Sequence, residues 1–218
     1  MPPPPLSEIL TVENSYIFRI THRDNLGHLL RHGIHCRSSS QVDPRYVEIG
    51  NPDIIGRRHS RSVPVPQGGM LSDYVPFYFT PCTPMLYNIV SGYQGMRQRQ
   101  RAEIAIIVSS LPRLDENEVS YVVADRNASL MHAKISSDRA LVTAMPWDQW
   151  RARDFRRDPN DPSRMEKYQA EALVHRHLPV AAIMAIITYD RTVQDLVTQE
   201  VSNAAVQVSV SVRSDWYP

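Results

Sequence analysis

Cationic and aromatic side chains alternate between residues 144 and 165, and this pattern has a direct chemical meaning. Trp147 and Trp150 precede a run of four arginines, namely Arg151, Arg153, Arg156 and Arg157. Guanidinium groups pair with phosphates and aromatic rings stack on bases, so the pattern is typical of a surface that binds single-stranded nucleic acid. Three aspartates within residues 154–161 could instead neutralise a solvated arginine loop. Composition alone favours neither interpretation.

A carboxylate and an aromatic turn are further candidates for chemistry. Glu171 lies at the start of an apolar run, where burial could shift its pKa and suit it for catalysis. Spacing alone favours a simpler interpretation, an ordinary position on a surface strand. Residues 78–87 place aromatic side chains on both sides of a predicted strand-to-helix turn, which offers a ligand free backbone N–H groups. Tyr87 is the most open of these side chains, whereas Phe77 and Phe79 are expected in the core.

Metal and nucleophile chemistry have little support. His28 and His32 are four residues apart, but the glutamate of an H-E-x-x-H motif is missing between them. Solvated helix histidines are therefore expected, and no metal site is predicted. Cys36 and Cys82 are too few for a disulfide framework or a cysteine-rich zinc site, and no G-x-S-x-G is present. The sequence also lacks the glycine motifs of Rossmann folds and P-loops.

The charge balance excludes a global electrostatic attraction to nucleic acid. The 218 residues contain 24 Lys+Arg and 23 Asp+Glu, a net charge of +1, so binding would need a local cationic groove. Hydrophobic residues make up 42% of the chain, which is typical of a globular domain. No apolar run is long enough to span a bilayer, and the proline-rich start does not resemble a signal peptide. With only two cysteines, we expect a reducing, cytoplasmic location and no membrane partner.

Hydrophobic periodicity predicts the elements that must position these side chains. Strands are expected at residues 16–20, 75–80, 103–109, 120–124, 169–174, 183–189 and 206–212. Helices are expected from a capping box at residues 21–24 to Gly33, from the N-cap Thr83 to Gly92, and over residues 191–202. Residues 38–70 are expected to form a long loop with one helical turn near 52–56. Because strict βαβ alternation is absent, the predicted fold class is α+β.

Several short stretches, taken in order, carry a resemblance to a known family. They are residues 18–25, 49–58, 73–79, 84–87, 152–158, 167–171 and 214–217. Together they make the chain similar to the DarT family, the DNA ADP-ribosyltransferase toxins of bacterial DarT–DarG toxin–antitoxin pairs, and most similar to its thymidine-modifying branch. The resemblance implies one domain over residues 1–218, with a flexible proline-rich lead-in at residues 1–12. It implies an ADP-ribosyltransferase-like mixed, mostly antiparallel split sheet with peripheral helices and long loops.

The resemblance also implies an NAD site without a metal. The first strand, with Arg19, Ile20 and Thr21, would hold the nicotinamide amide and the adjoining ribose of NAD. The family often has histidine where Arg19 stands. Further NAD contacts are implied for His22 and Asn25 on the adenosine or phosphate side, and for Met85 and Tyr87 against the nicotinamide.

The catalytic and DNA-binding residues follow from the same resemblance. Glu171 matches the family's catalytic glutamate, and Arg58 matches its partner arginine. A carboxylate near the ribose would stabilise the positive charge that develops when the nicotinamide–ribose bond breaks. The segment at residues 145–168 would recognise the substrate, with DNA contacts from Arg153, Arg156, Arg157 and Tyr168.

The implied function is a toxin that transfers ADP-ribose from NAD to thymine in single-stranded DNA and so blocks replication. The macrodomain antitoxin DarG would hold it in check. Single-stranded DNA fits because base pairing hides thymine N3 in a duplex. Two alternatives stay open, an ADP-ribosyltransferase that acts on RNA or protein and a non-catalytic single-strand-binding module. Consumption of NAD and a covalent shift of an oligonucleotide would distinguish the enzyme from the binder.

Overall fold

Ten β-strands carry the fold in the part of the chain that the computed structural model describes, residues 4–156 and 158–218. They are β1 (Tyr16–His22), β2 (Ile34–His35), β3 (Tyr74–Tyr78), β4 (Ile104–Ser110), β5 (Tyr121–Ala124), β6 (Ile135–Ser136), β7 (Glu171–His175), β8 (His177–Leu178), β9 (Ala185–Thr188) and β10 (Ser209–Val212). Eight form one sheet in the order β10-β9-β4-β1-β3-β7-β5-β6, and β2 pairs with β8 separately. Of the described pairs only β9–β10 is parallel, so the predicted mixed, mostly antiparallel sheet is confirmed.

Nine α-helices and six short 3₁₀ helices connect these strands within the described ranges. The α-helices are α1 (Leu6–Ile9), α2 (Leu26–His32), α3 (Pro52–Ser60), α4 (Pro84–Ser91), α5 (Leu111–Glu116), α6 (Ala140–Thr143), α7 (Trp147–Ala152), α8 (Arg164–Lys167) and α9 (Arg191–Asn203). The 3₁₀ helices cover Arg23–Asn25, Leu71–Asp73, Tyr93–Gly95, Arg101–Glu103, Val180–Ala182 and Ser214–Trp216. This mixture confirms the predicted α+β class. Over residues 4–156 and 158–218, every helix is too short or too polar to cross a membrane.

The helix ends predicted at Gly33, Thr83 and Gly92 are confirmed, and one predicted cap is wrong. Thr83 Oγ1 accepts a backbone N–H in the first turn of α4, and Gly92 ends this helix with a left-handed φ of 71°. Gly33, with φ 74°, ends α2. The predicted capping box at residues 21–24 is wrong, because Thr21 still belongs to β1 and the Nδ1 atom of His22 provides the cap.

The polar segment at residues 38–70 contains a longer helix than its sequence predicts. α3 continues to Ser60, beyond the single turn expected at residues 52–56. Asn51 Oδ1 caps α3 by accepting two backbone N–H groups at 2.9 and 3.3 Å. Gly56 and the polar composition hide this helix from periodicity analysis. The additional turn matters because it carries Arg58.

The sheet is split between its two central strands, β1 and β3, as the family resemblance implies. β1 pairs with β4 along all seven of its residues, but it pairs with β3 only where Phe18 faces Tyr78. The Pro76 carbonyl of β3 accepts a hydrogen bond from Arg19 of β1. Because the nitrogen and the carbonyl of one strand residue point to the same side, the side of Pro76 that lacks an N–H also faces β1. A regular ladder cannot continue there. The strands diverge beyond this point and leave an opening between them.

Aromatic packing draws much of the predicted recognition segment into the core. Trp147 and Trp150 of α7 are buried, and the Trp150 ring stacks on Phe79 with 6.1 Å between centroids. Tyr168 is fully buried, and its hydroxyl donates to a backbone carbonyl of α7 at 2.8 Å. The nucleic-acid interpretation of residues 144–165 needs exposed rings for base stacking, and it is wrong for both tryptophans because they fix the segment to the sheet.

The N-terminal segment packs against the domain as far as it is described. Residues 1–3 lie outside the described residues. Leu10 is fully buried, and Arg151 Nη1 donates to the Leu10 carbonyl at 2.8 Å. The flexible lead-in expected at residues 1–12 is therefore not found over residues 4–12.

We predict that Leu10→Ala lowers the free energy of unfolding by about 2–5 kcal/mol, because it removes a fully buried side chain and leaves a cavity. Leu196→Ala is the matched control, since Leu196 on α9 is 54% exposed and its loss costs about 0.5 kcal/mol or less. Thermal and urea unfolding of both variants measure the difference. Equal, small losses would show that the N-terminal segment does not belong to the folded core.

Candidate active site

Glu171 is the first residue of β7 and lies between β3 and β5. The strand register places Tyr78 and Ala124 opposite it on the two sides. Its side chain is only 3% exposed, so the carboxylate needs hydrogen-bond donors within the protein. Arg58 Nη1 donates to Oε2 at 3.1 Å and to Oε1 at 3.3 Å, and the Ala128 N–H donates to Oε2 at 3.3 Å. These contacts fix the orientation of the carboxylate.

Arg58 keeps one terminal nitrogen free for a ligand. Its side chain is 10% exposed, and Nη2 is buried without a hydrogen-bond acceptor among the described residues. A buried donor without an acceptor is costly, and each such donor in a native structure requires a physical reason. The reason here is a position on the wall of a cleft, where a bound substrate can supply the acceptor.

A cleft with a volume of 390 Å³ extends from the Glu171–Arg58 pair along the opening between β1 and β3. This volume lies within the range of about 300–1,000 Å³ that is usual for small-molecule sites. The lining mixes apolar, aromatic and cationic side chains, among them Arg19, Ile20, Tyr46, Ile49, Ile54, Arg58, Tyr78, Met85, Asn88, Tyr93 and Glu171. The cleft can therefore accept a ligand with flat rings and negative charge.

Arg19 supplies the second fixed cation of the cleft. Its Nη1 donates to the Pro76 carbonyl at 3.0 Å and its Nη2 donates to the Tyr46 hydroxyl at 3.4 Å, which holds the side chain across the opening. Its Nε is buried without a partner in the described part of the chain. Two oriented guanidinium groups, from Arg19 and Arg58, suit a ligand that carries phosphates.

Tyr78 places a neutral hydroxyl beside the catalytic pair. Its hydroxyl donates to Met85 Sδ at 3.1 Å. Burial raises the pKa of Tyr78, and the negative charge of Glu171 raises it further. The phenol therefore stays protonated near neutral pH and can form hydrogen bonds there without acting as a base.

Histidines line another part of the cleft. His28 and His35 both face it, and the His35 ring stacks on His177 with 4.2 Å between centroids. Burial, followed by repulsion from His177, lowers the pKa of His35, so its ring is neutral near pH 7. Within residues 4–156 and 158–218 there is no group of three or more His, Cys, Asp and Glu side chains placed to hold a metal ion.

The two residues predicted to face nicotinamide lie on different sides of α4. Met85 lines the cleft, whereas Tyr87 is 54% exposed and packs beside Tyr93 with 6.4 Å between ring centroids. Side chains two positions apart on a helix lie on nearly opposite faces. The structure therefore brings Met85, but not Tyr87, to the catalytic pair.

Thr21, His22 and Asn25 lie behind the cleft wall. Asn25 is buried and joins the Val47 backbone by two hydrogen bonds, accepting from its N–H at 2.8 Å and donating to its carbonyl at 3.0 Å. It also donates to Thr21 Oγ1 at 3.1 Å. His22 Nε2 lies 3.4 Å from Glu103 Oε1. The contacts of Thr21 and Asn25 hold the irregular segment that carries Tyr46, so these two residues support the wall without lining it.

The side chains predicted to contact DNA are not gathered at the cleft. Arg156 donates to both oxygens of Asp154, at 2.7 and 2.8 Å, and Arg153 Nη2 lies 3.7 Å from Asp215. Tyr168 is buried, so its ring has no face open to a base. The predicted contact at Arg157 lies outside the described residues. Of the two sequence interpretations, these contacts favour an arginine segment neutralised by aspartates.

Sequence reasoning missed three groups that complete the site. Tyr46 lies in a segment without periodicity, and the N–H of Ala128 is a backbone group that no side-chain pattern can reveal. Tyr78 belongs to the aromatic turn that the sequence indicates as a ligand surface, so a signal for it exists. Strand register, which sequence alone does not determine, is what places Tyr78 opposite Glu171.

Comparison with known proteins decides the family. A profile described as "ssDNA thymidine ADP-ribosyltransferase, DarT" matches residues 18–218. The chain belongs to the DarT family. A DNA ADP-ribosyl transferase of Escherichia coli is 41% identical to it over 211 residues, which cover 97% of both chains. The predicted resemblance and the predicted reaction, ADP-ribosylation of thymidine in single-stranded DNA, are confirmed.

Solved DarT structures share the fold. Thermus sp. 2.9 DarT in complex with ADP-ribosylated ssDNA has a TM-score of 0.86 and 33% identity, covering 94% of this chain and 97% of that chain. The same protein in complex with NAD+ has a TM-score of 0.78 and 33% identity, covering 94% and 98%. Thermosipho africanus DarTG in complex with ADP-ribose, at 19% identity and a TM-score of 0.75, covers 93% of this chain and 50% of that chain and shows a common fold. The predicted ADP-ribosyltransferase-like architecture is confirmed.

We predict that Met85→Ala weakens binding of a non-hydrolysable NAD analogue by roughly tenfold, because it removes an apolar contact from the cleft. Tyr87→Ala is the matched control on the same helix, and its affinity for the analogue stays within about twofold of wild type, since a surface substitution changes little. Isothermal calorimetry measures both. A larger loss for Tyr87→Ala than for Met85→Ala would place the nicotinamide on the other face of α4.

Proposed function

We propose that the cleft binds NAD with its nicotinamide ribose beside Glu171, and that the protein transfers ADP-ribose from there to thymine in single-stranded DNA. The observation that carries this proposal is the buried Glu171–Arg58 pair, which ends the cleft and retains an unpaired Nη2 donor. The reaction follows from membership of the family, and we locate it at the Glu171–Arg58 pair. NAD is the co-substrate, and the proposed chemistry uses no metal.

Glu171 acts on the ribose. Cleavage of the bond between ribose C1′ and the nicotinamide nitrogen leaves positive charge on the ribose, as in glycoside hydrolysis. A carboxylate fixed by Arg58 and the Ala128 N–H accepts a hydrogen bond from a ribose hydroxyl and stabilises that charge without reorganising. Nicotinamide then leaves as a neutral ring.

Arg58 acts on the acceptor base. The new bond joins C1′ to thymine N3, and the N3 proton passes to solvent water in the step. A guanidinium with a pKa above 12 is a poor base, so Arg58 contributes through charge and hydrogen bonding. Its free Nη2 donates to a thymine carbonyl oxygen, which withdraws electron density from N3 and favours loss of the proton.

Arg19 holds the remainder of NAD, with Ile20 and Met85 as apolar contacts in the same cleft. The guanidinium of Arg19 neutralises the diphosphate, and the flat nicotinamide packs between the apolar side chains. Thr21 and Asn25 support this wall through the contacts behind it, whereas His22 pairs with Glu103 away from the cleft. Thr21 and Asn25 are positioning residues in this proposal.

The biological setting follows from the chemistry. A modified thymine N3 cannot form its base pair, so the product blocks replication, and a cell that carries such an enzyme needs a protein that removes the mark. We assign that role to a macrodomain antitoxin of the DarG type. The enzyme acts where DNA and NAD meet, in the cytoplasm, as one domain over residues 1–218. The net charge of +1 means that DNA binding depends on a local surface.

The rival activities are distinguishable in one reaction mixture. A thymine-containing DNA strand, the same strand without thymine, an RNA strand and a protein are incubated together with enzyme and NAD. We expect only the thymine-containing DNA to gain the mass of one ADP-ribose. A mass gain on RNA or protein, or reversible binding without any mass gain, would support the corresponding rival.

We predict that Glu171→Gln lowers the transfer rate by roughly 100-fold or more while an NAD analogue still binds, because the amide oxygen can accept from Arg58 but carries no charge. Glu116→Gln is the control, since Glu116 is a 63% exposed partner of Arg113 on α5. Mass spectrometry of the oligonucleotide measures transfer. If the Gln variant unfolds, Glu171→Asp tests the same claim by shortening the reach of the charge. A rate near wild type in a folded variant contradicts the assignment.

A further inference from the structure

A pair of side-chain amides lies beside the catalytic carboxylate and has no part in the proposed transfer step. Asn127 follows the end of β5 by three residues and is buried. Gln169 precedes Glu171 by two residues and lines the cleft. The Nδ2 atom of Asn127 donates to Oε1 of Gln169 at 3.3 Å. One member of the pair is therefore buried behind the site, and the other faces the substrate.

The direction of the Asn127 amide is fixed by a group that can only donate. The backbone N–H of Ser129 donates to Asn127 Oδ1 at 3.0 Å, and the Ser129 hydroxyl donates to the same oxygen at 2.7 Å. Because this oxygen must face Ser129, the amide nitrogen of Asn127 must face Gln169. An amide nitrogen donates and does not accept, so Gln169 must turn its own oxygen towards Asn127.

Gln169 consequently keeps its amide nitrogen for the cleft. Among the described residues, Nε2 of Gln169 has no acceptor, and Gln169 lines the cleft whereas Asn127 does not. The backbone of Gln169 is held as well, because its N–H donates to the Glu166 carbonyl at 2.9 Å. Its neighbours Tyr168 and Ala170 are buried. The side chain therefore offers a ligand an N–H donor in a fixed direction.

This donor shares the cleft with the free donor of the catalytic pair. The residue after Asn127 is Ala128, whose N–H donates to Glu171 Oε2 at 3.3 Å. Arg58 donates to the same carboxylate, and its Nη2 has no acceptor among the described residues. The cleft at Glu171 therefore holds two available donors, Nη2 of Arg58 and Nε2 of Gln169.

Two such donors match thymine and do not match cytosine. The N3–H of thymine lies between two carbonyl oxygens, O2 and O4, and both accept hydrogen bonds. Cytosine keeps O2 but has an N4 amino group in place of O4, and that group donates. A donor aimed at position 4 therefore pairs with thymine but meets a second donor in cytosine, which leaves both groups without an acceptor. The direction of the Gln169 amide affects the choice between these pyrimidines only at position 4.

We propose that Gln169 reads O4 of the target thymine through Nε2, and that Asn127 is the positioning residue that keeps the Gln169 amide in its donating direction. Arg58 then donates to the other carbonyl oxygen, O2. This inference rests on the proposed transfer to thymine, and it names the residues that select the base. Asn127 acts through Gln169 and does not contact the base.

The test uses two single strands that differ in one base. Each carries one target base, thymine or cytosine, within the same adenine tract, and fluorescence anisotropy measures binding in the presence of a non-hydrolysable NAD analogue. We expect wild type to bind the thymine strand roughly fivefold or more tightly than the cytosine strand, the lower end of the range for a base-reading contact. Gln169→Met keeps the length of the side chain without a donor, so it should bind the two strands within about twofold of each other.

Asn127→Asp tests the positioning role. A carboxylate at position 127 still accepts from Ser129, and it can accept from Gln169 only if the Gln169 amide turns its nitrogen away from the cleft. Three donors around this carboxylate keep it ionised in an assay near pH 8. Its charge weakens binding of both strands alike, so the ratio of the two affinities isolates the base contact. We expect the preference for thymine to fall to about twofold or less, because Oε1 of Gln169 then faces the base.

α9 carries a matched pair of amides for the controls. Gln199 Nε2 donates to Asn203 Oδ1 at 2.9 Å, and neither residue lines the cleft. Gln199→Met and Asn203→Asp should keep the preference of wild type. If Asn127→Asp does not fold, Gln169→Glu tests the same claim, because one of its oxygens accepts from Asn127 and the other presents an acceptor to the cleft. It should also lose the preference for thymine.

A folded variant of Asn127 or Gln169 that keeps the full preference for thymine, or a wild type that shows none, overturns this inference. Transfer of ADP-ribose to the thymine strand by wild type is measured in parallel by mass spectrometry. If wild type transfers but the preference does not depend on the two amides, only this inference fails. If wild type does not transfer, the proposed function fails.

Discussion

The ion pair between Glu171 and Arg58 is the interaction on which the arrangement of the site depends. A carboxylate that is 3% exposed would cost several kcal/mol if it were left without donors. Arg58 and the Ala128 N–H compensate for this cost from two directions, so the pair joins β7, α3 and the segment after β5. The two charges compensate each other in the interior, and their pairing holds these three elements together.

The Glu171–Arg58 pair also requires a particular length of α3 and a separation of β1 from β3. α3 has to extend a full turn beyond its polar start to deliver Arg58, and its Asn51 cap supports that length. β1 and β3 have to separate so that a ligand can reach the carboxylate, and the missing N–H of Pro76 prevents a ladder from closing the gap. Arg19 spans the opening and adds a second cation. The cleft is thus a consequence of one interrupted strand pair.

Periodicity and capping chemistry anticipate most of the fold but little of the site. The seven longer strands and the helix between Thr83 and Gly92 are predictable because alternation and N-cap chemistry are local properties, whereas the two-residue strands β2, β6 and β8 are too short to show a pattern. Glu171 and Arg58 are 113 residues apart, so spacing cannot bring them together, and the family resemblance alone pairs them. The sequence predicts only one turn of α3, because its polar residues form no apolar stripe. Trp147 and Trp150 suggest base stacking by composition, yet long-range packing against Phe79 places them in the core.

In the proposed complex, Glu171 contacts the NAD ribose while Arg58 contacts the thymine. A crystal structure of Glu171→Gln with NAD and a thymine-containing single strand tests it most directly. We expect a hydroxyl of the nicotinamide ribose within about 3.2 Å of the side chain at position 171, and Nη2 of Arg58 at a similar distance from a thymine carbonyl oxygen. A nicotinamide ribose bound beside His28 and His35, with thymine out of reach of Arg58, would contradict it.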